Sequence, residues 1–319
     1  MKQWVRESGL LPGEVRLLDE DVVAGTLTEA VGEPAVIGAV QQDSFSGARL
    51  VFFTGSAAFS ARHVAEAVRA GATVIDLSGG LANQTDARCW IPSLDPVLAP
   101  PLGKPAGGET ASVYVAPSAP ATVAISLGAA LTPLGLRRMV LTLFEPVSER
   151  GSEGIEELES QVVKLLSFAP IPKAVFDAQV GFNLLSRFGE ASGEKLADRR
   201  AEIVGCVRRY LGGRAGMPAI TLVQAPVFYS HVFSAYAEFE SAPAIDDLVS
   251  RIERAGLKVV APDQPAPDNV NVTGESRPVL ARPERDPAVE NGVWLWGAAD
   301  NLRVPVVNAV AIAEKLLAS

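Results

Sequence analysis

The chain has 319 residues, with 28 Lys and Arg against 37 Asp and Glu, a formal charge of −9, and two cysteines, Cys89 and Cys206. The acidic balance argues against a nucleic-acid partner, which requires concentrated Lys and Arg on one surface. Two cysteines cannot staple a chain of this size and no charged segment followed by an apolar core opens it, so a reducing, cytoplasmic setting is expected; at roughly 100 to 200 residues per domain the length suggests two domains.

Short apolar runs alternate with helical patterns in the first third, as in βαβ units around a parallel sheet. Val15 to Leu18 reads as a strand, Leu50 to Phe53 (LVFF) as a second, and Ala57 to Ala70 as an amphipathic helix ended by Gly71. Ala72 to Leu77 (ATVIDL) gives a third strand, reached by a right-handed crossover. Ser112 to Val115 and a helix from about Thr122 to Leu131 complete this part. Thr110 to Leu136 contains no charge, yet Pro117, Pro120, Gly128, Pro133 and Gly135 interrupt it. A membrane span is therefore not expected; a buried strand, a Pro-rich turn and a buried helix are.

After Leu136 longer strands are separated by polar helices. Met139 to Phe144, Ala219 to Val223, His231 to Glu240 and Lys258 to Ala261 read as strands, and Glu153 to Ser167, Leu196 to Leu211 and Ile245 to Ala255 as helices. Strands with helices on one face suggest an α+β domain. Ala261 to Pro278 reads as a long irregular loop and Val304 to Leu317 as a last helix. The run Glu153 to Glu159 reads as a solvated helix face, and Asp19, Glu20 and Asp21 lack the alternating ligands of a calcium loop, so no metal site is expected. His63 has no metal-ligand neighbours at useful spacing. Cys89 in CWIP reads as packing, and Trp294 and Trp296, alternating on one strand face, as core or dimer packing.

Several segments, in order, resemble the aspartate-semialdehyde dehydrogenases of the semialdehyde dehydrogenase superfamily. LVFFTGSAAFS with AGATVIDLSG resembles the family's strand, small-residue turn, helix and next strand. VSERGSEGIEEL (Val147 to Leu158) is similar to its VSGAGxxGIxEL, VGFNLL (Val180 to Leu185) to its IAFNVIP, and APVFYSH (Ala225 to His231) to its PVFYGH. DPAVENGVWLWGAADNLR (Asp286 to Arg303), followed by NAVAIAEKL, resembles its closing signature. The likeness covers nearly the whole chain. It implies a Rossmann-like α/β domain over 1–125, with the helix 304–317 returning to it, and an α+β catalytic and dimerisation-type domain over 126–303. A homodimer with a small-molecule ligand and a place in amino-acid biosynthesis are implied with it.

The family reduces an acyl phosphate to an aldehyde with NADPH, through a thioester on a cysteine activated at a helix N-terminus. Carried over position by position, that cysteine falls at Ala119, in Ala116 to Pro120 (APSAP), and the neighbouring Ser118 is a poor substitute. The substrate-carboxylate Arg falls at Gln224, the phosphate Arg at Ala82, the thioester-orienting Gln at Glu145, the substrate Glu at Cys206 and its preceding Lys at Glu202. Only His231 keeps its motif position, as the base. NAD or NADP is the implied cofactor, with Thr54, Gly55, Ser56 and Ser78 near it. Met1 to Gly9 resembles the back half of the family's first helix, so the first strand and Gly-rich loop are expected to be missing, and the acidic LLDED (Leu17 to Asp21) suits NAD ribose hydroxyls rather than a 2′-phosphate. The expectation is a relative without the standard activity. The alternative is an active oxidoreductase with an altered substrate that uses His231 and Cys206. Without a placed nucleophile His231 reads as a hydrogen-bonded core or rim residue, and Cys206, at mid-helix without the N-terminal dipole, as an inert thiol.

Overall fold

A computed structural model describes residues 8–10, 12–20, 24–30, 32–84, 86–99 and 112–318. The helix expected over Met1 to Gly9, except for its last two residues, and Asp21 of the acidic run lie outside them. The elements begin with β1 (Leu18–Asp19), β2 (Leu27–Ala30), β3 (Glu33–Val36), β4 (Gly38–Ala39), β5 (Leu50–Phe53), α1 (Ala57–Arg69), β6 (Thr73–Asp76), β7 (Ala87–Cys89) and β8 (Val113–Val115). There follow α2 (Ala119–Leu131), β9 (Leu136–Glu145), α3 (Gly151–Leu166), α4 (Leu196–Leu211), β10 (Ala219–Gln224), β11 (His231–Phe239) and α5 (Ile245–Arg254). The last are β12 (Lys258–Val259), β13 (Val279–Leu280), β14 (Glu284–Arg285), β15 (Gly292–Ala299) and α6 (Arg303–Leu317).

The described chain forms two compact units. The first takes in residues up to Pro92, those from Ser112 to Pro117 and those from Pro305 onward; the second takes in Ser93 to Ala99 and Ser118–Val304. In the first unit β5, β6, β8 and β7 form a parallel sheet in that order. Side chains alternate across the pleat and both faces are covered, as parallel sheets require. Val74, Val113 and Val115 pack with Phe59, Val64 and Ala67 of α1. Ile75 and Tyr114 point the other way, onto Ala309, Ile312 and Ala313 of α6. Ser56 caps α1 by accepting from the Phe59 N–H at 3.1 Å.

In the second unit β10, β9, β11, β15, β13 and β12 form a mixed sheet, with β14 on β15. Along β11, His231, Phe233, Ala235, Ala237 and Phe239 are buried on one face while the residues between them are half-buried. The buried face of β9 likewise carries Met139, Leu141, Leu143 and Glu145. Every residue of α2 is buried, which explains the uncharged stretch as a core helix. No helix among the described residues is long and apolar enough to cross a membrane.

Several expectations shift. The strand expected over Val15 to Leu18 forms at Leu18–Asp19, and Lys258 to Ala261 shortens to Lys258–Val259. The hairpin of β2 and β3 was not anticipated. Helix α2 starts at Ala119 rather than Thr122, because Pro120 stands in its first turn, where the missing N–H has no intrahelical partner to lose. The acidic run of α3 is not wholly solvated: Glu157 is buried and accepts from the Val175 N–H at 2.6 Å and the Phe176 N–H at 3.3 Å. Trp294 and Trp296 are 45% and 42% exposed, on the face of the sheet opposite Val293 and Leu295, so they are not core.

Candidate functional site

The polar centre of the second unit lies at the C-terminal end of β9. There Glu145 and Gln224 are paired in register on parallel strands, and both are fully buried. The chain leaves β9 through Pro146 into a single 3-10 turn, Val147–Arg150, held by Val147 N–H to Val227 O at 2.9 Å and Ser148 N–H to Phe228 O at 3.1 Å. Gly154 lets α3 begin close behind that turn: a Cβ there would stand 2.6 Å from Arg150 Cβ and closer still to Val147 O. Glu149 and Arg150 project from the turn, Arg199 from the first turn of α4, His231 from the start of β11 and Asn301 from just beyond β15.

Glu149 is the hub. Its Oε2 accepts from Arg199 Nη2 at 2.7 Å, and its Oε1 from Asn301 Nδ2 at 3.1 Å. Oε1 also meets His231 Nε2 at 3.2 Å. An ionised carboxylate only accepts, so Nε2 carries the proton in this pair. Burial would raise the Glu149 carboxyl, but the hydrogen bond and charge of His231, then Arg199 and Asn301, outweigh it and hold the group at about 2. Glu145 behaves oppositely. Burial, then the charge of Glu149, pushes its carboxyl up, against Arg199 and Arg150. Its oxygens stand 3.7 Å from Arg150 Nη2 and 4.0 Å from Arg199 Nε, beyond hydrogen-bond reach. Arg150 pairs with Glu194 and lies over the Phe188 ring at 5.0 Å; burial, then repulsion by Arg199, lowers its pKa.

The backbone is shaped around the cluster. Ser230 holds a φ of +67°, a left-handed conformation costing a non-glycine residue on the order of 1 kcal/mol, and Asn301 Oδ1 accepts its N–H at 3.0 Å. Both oxygens of Glu145, Nε and Nη2 of Arg150, Nε of Arg199, Oε1 of Gln224, Oγ of Ser230 and Nδ1 of His231 are buried without a hydrogen-bond partner among the described residues. Such atoms are rare in folded proteins, and their gathering in one place is the signature of a polar site rather than a core. A cleft of about 670 Å³, lined by Glu149, Arg150, Glu153, Glu156, Val175 and Glu194, opens beside it.

The expected residues distribute as follows. His231 is fully buried and hydrogen-bonded, as its core reading requires, but its partner is a carboxylate. Cys206 stands in mid α4, half-buried, and neither it nor Cys89 is in a disulfide. Ala119 is the first residue of α2 and is buried. In the first unit Thr54, Gly55 and Ser56 lead into α1, while Ser78 Oγ donates to Asp76 Oδ1 at 2.6 Å and is hydrogen-bonded to Ser60 Oγ of α1 at 2.9 Å. A Cβ on Gly80 would stand 2.7 Å from Ala57 O, so the turns after β5 and β6 come together at the C-terminal edge of the parallel sheet. That edge is where such sheets take ligands. Glu20 of the acidic run pairs with Arg62 at 3.0 Å. Glu149, Arg150, Arg199 and Asn301 were not anticipated; the available signal was VSERG standing where the resembled motif has VSGAG, two charges in place of two small residues.

A Rossmann-like parallel-sheet unit and a mixed-sheet α+β unit with a buried histidine–carboxylate cluster make up the described chain. Residues 127–304 match the family model for the semialdehyde dehydrogenase dimerisation domain. The chain is 32% identical to a USG-1 protein homolog of Pseudomonas aeruginosa, over 88% of this chain and 82% of that one. The solved structure of a probable aspartate-semialdehyde dehydrogenase from Pseudomonas aeruginosa is similar with a TM-score of 0.81 at 27% identity, covering 99% of this chain and 93% of that one. The fold is also that of an aspartate-semialdehyde dehydrogenase of Candida albicans solved with NADP, with a TM-score of 0.59 at 13% identity over 95% of this chain and 90% of that one. The chain belongs to the semialdehyde dehydrogenase family.

Proposed function

We propose that the chain is an aspartate-semialdehyde dehydrogenase-like protein that does not carry the thioester route between acyl phosphate and aldehyde. The observation that carries this reading is Ala119, the buried first residue of α2. A helix N-terminus is where a thiolate is stabilised, and alanine supplies no nucleophilic atom there. Gln224 and Ala82 at the two arginine positions, which remove charge complementary to an anionic substrate, and Glu145 at the glutamine position, which adds charge that repels one, support it, and Cys206 at the glutamate position removes a substrate-binding carboxylate.

The cofactor reading is NAD or NADP. Thr54, Gly55 and Ser56 at the head of α1 would hold it through backbone N–H groups, Gly55 facing open space, and Ser78 would lie beside it. Such a cofactor accepts or delivers hydride. Asp19 and Glu20 favour ribose hydroxyls over a 2′-phosphate. A homodimer in the cytoplasm completes the reading, supported by the dimerisation-domain match and the exposed Trp294 and Trp296.

A second reading, an oxidoreductase with an altered carbonyl substrate, is favoured by the buried His231–Glu149 pair, an arrangement suited to acid–base work. Intact-mass measurement after incubation with aspartate semialdehyde and NAD or NADP, without phosphate, separates the two. No acyl adduct is expected, and a thioester on Cys206 would overturn the first reading in favour of the second.

A further inference from the structure

The two carboxylates of the buried cluster are in opposite states, and the difference is one of coordination. Glu145 has neither oxygen hydrogen-bonded, whereas both oxygens of Glu149 are engaged, by Arg199 at 2.7 Å, Asn301 at 3.1 Å and His231 at 3.2 Å. Those three partners come from α4, the segment after β15 and the start of β11, so their convergence is a product of the tertiary fold. Each is fixed independently of Glu149. Arg199 Nη1 donates to Glu202 Oε2 at 2.9 Å, Asn301 is tied to the Ser230 N–H at 3.0 Å and to Ser148 Oγ at 3.1 Å, and His231 is held in the β11–β15 ladder opposite Ala299. A guanidinium, an amide N–H₂ and an imidazole N–H aimed at one point are what a carboxylate ligand requires. Glu149 itself lines the wall of the 670 Å³ cleft, with Arg150, so truncating its side chain opens the point towards that cleft.

We propose that Arg199, His231 and Asn301 form a pocket for a small carboxylate and that Glu149 is its built-in occupant, closing the pocket to free anions of that class. The proposal rests on the reading that the site is chemically altered, and it names the residue that decides what the site excludes. Glu145 is not the occupant: it lies 4.0 Å from Arg199 Nε and makes no hydrogen bond. With Glu149 in place, Oε1 of Gln224 and Oγ of Ser230, which have no hydrogen-bond partner among the described residues, offer hydrogen bonds without net charge.

The test is a binding measurement without turnover, so its outcome is independent of the thioester result. Full-length wild type, Glu149→Ala and the double variant Glu149→Ala/Arg199→Gln are titrated with sodium acetate against sodium chloride at constant ionic strength, read by calorimetry and by melting temperature. Expected is a saturable, acetate-specific response in Glu149→Ala at least about 10-fold tighter than in wild type, corresponding to about 1.4 kcal/mol, and its loss in the double variant. Should Glu149→Ala not fold in chloride, recovery of folded protein in acetate is the expected reading. Equal acetate binding by wild type overturns the proposal, as does a folded Glu149→Ala that ignores acetate because Glu145 has taken over Arg199, or a variant that acetate does not recover.

Discussion

Glu149→Gln removes one charge from the buried cluster while keeping the side chain's size. The folded protein holds the Glu149 carboxyl at about 2, against an ordinary value of 4.5. A depression of that size, at about 1.4 kcal/mol per pKa unit, corresponds to about 3 to 4 kcal/mol of stability. Because the folded pKa is the lower one, this contribution is fully present above the ordinary carboxylate value and disappears as the pH falls from about 4.5 towards about 2. Loss of one partner from a buried ion pair costs about 3 to 5 kcal/mol by general experience, which agrees in size. Urea denaturation followed by tryptophan fluorescence at neutral pH, and again at several pH values below 5, measures both quantities. Glu149→Gln is expected to be about 3 to 4 kcal/mol less stable than wild type at neutral pH, with the gap narrowing in acid as wild type loses its own contribution. A variant within about 0.5 kcal/mol of wild type at neutral pH, the range of an ordinary surface change, would refute the assignment of Glu149 as the hub.

Glu145→Gln should act in the opposite direction: burial raises this carboxyl, so its penalty appears as the pH rises above the ordinary carboxylate range, and the variant is expected to match or exceed wild type in urea at neutral pH. A loss of more than about 1 kcal/mol there would mean that its charge is needed by Arg150 and Arg199. Gly154→Ala places a methyl group 2.6 Å from Arg150 Cβ, so a drop of about 1 to 3 kcal/mol is expected in the same titration, and an unchanged midpoint would show that the 3-10 turn yields freely. Trp294→Glu with Trp296→Glu is expected to shift the species seen by light scattering from dimer to monomer, because the two indoles cover the exposed face of β15; a dimer unchanged by both would place the interface elsewhere.

Much of the fold was legible because burial imposes periodicity. Helix α4 has the expected bounds, and β11 alternates buried and half-buried residues from His231 onward. Strands of two residues such as β1 and β12 are too short to show a period, and β2 and β3, LTEA and EPAV, carry too few apolar residues to announce a hairpin. Pro120 misled because proline breaks a helix interior but is compatible with its first turn. Of the polar cluster, His231 falls in a motif and can be singled out from the sequence. Glu149, Arg199 and Asn301 cannot, since each reads as an ordinary polar residue until the fold brings three separate segments onto one carboxylate. Trp294 and Trp296 were correctly placed on one strand face, but their exposure depends on which side of the sheet the helices cover.

The proposed absence of thioester chemistry is read out by steady-state turnover. The purified protein is assayed with aspartate semialdehyde, phosphate and NAD or NADP, alongside His231→Ala, with cofactor reduction followed by absorbance. No turnover above the buffer background is expected in either protein. Robust turnover by wild type that His231→Ala abolishes would contradict it.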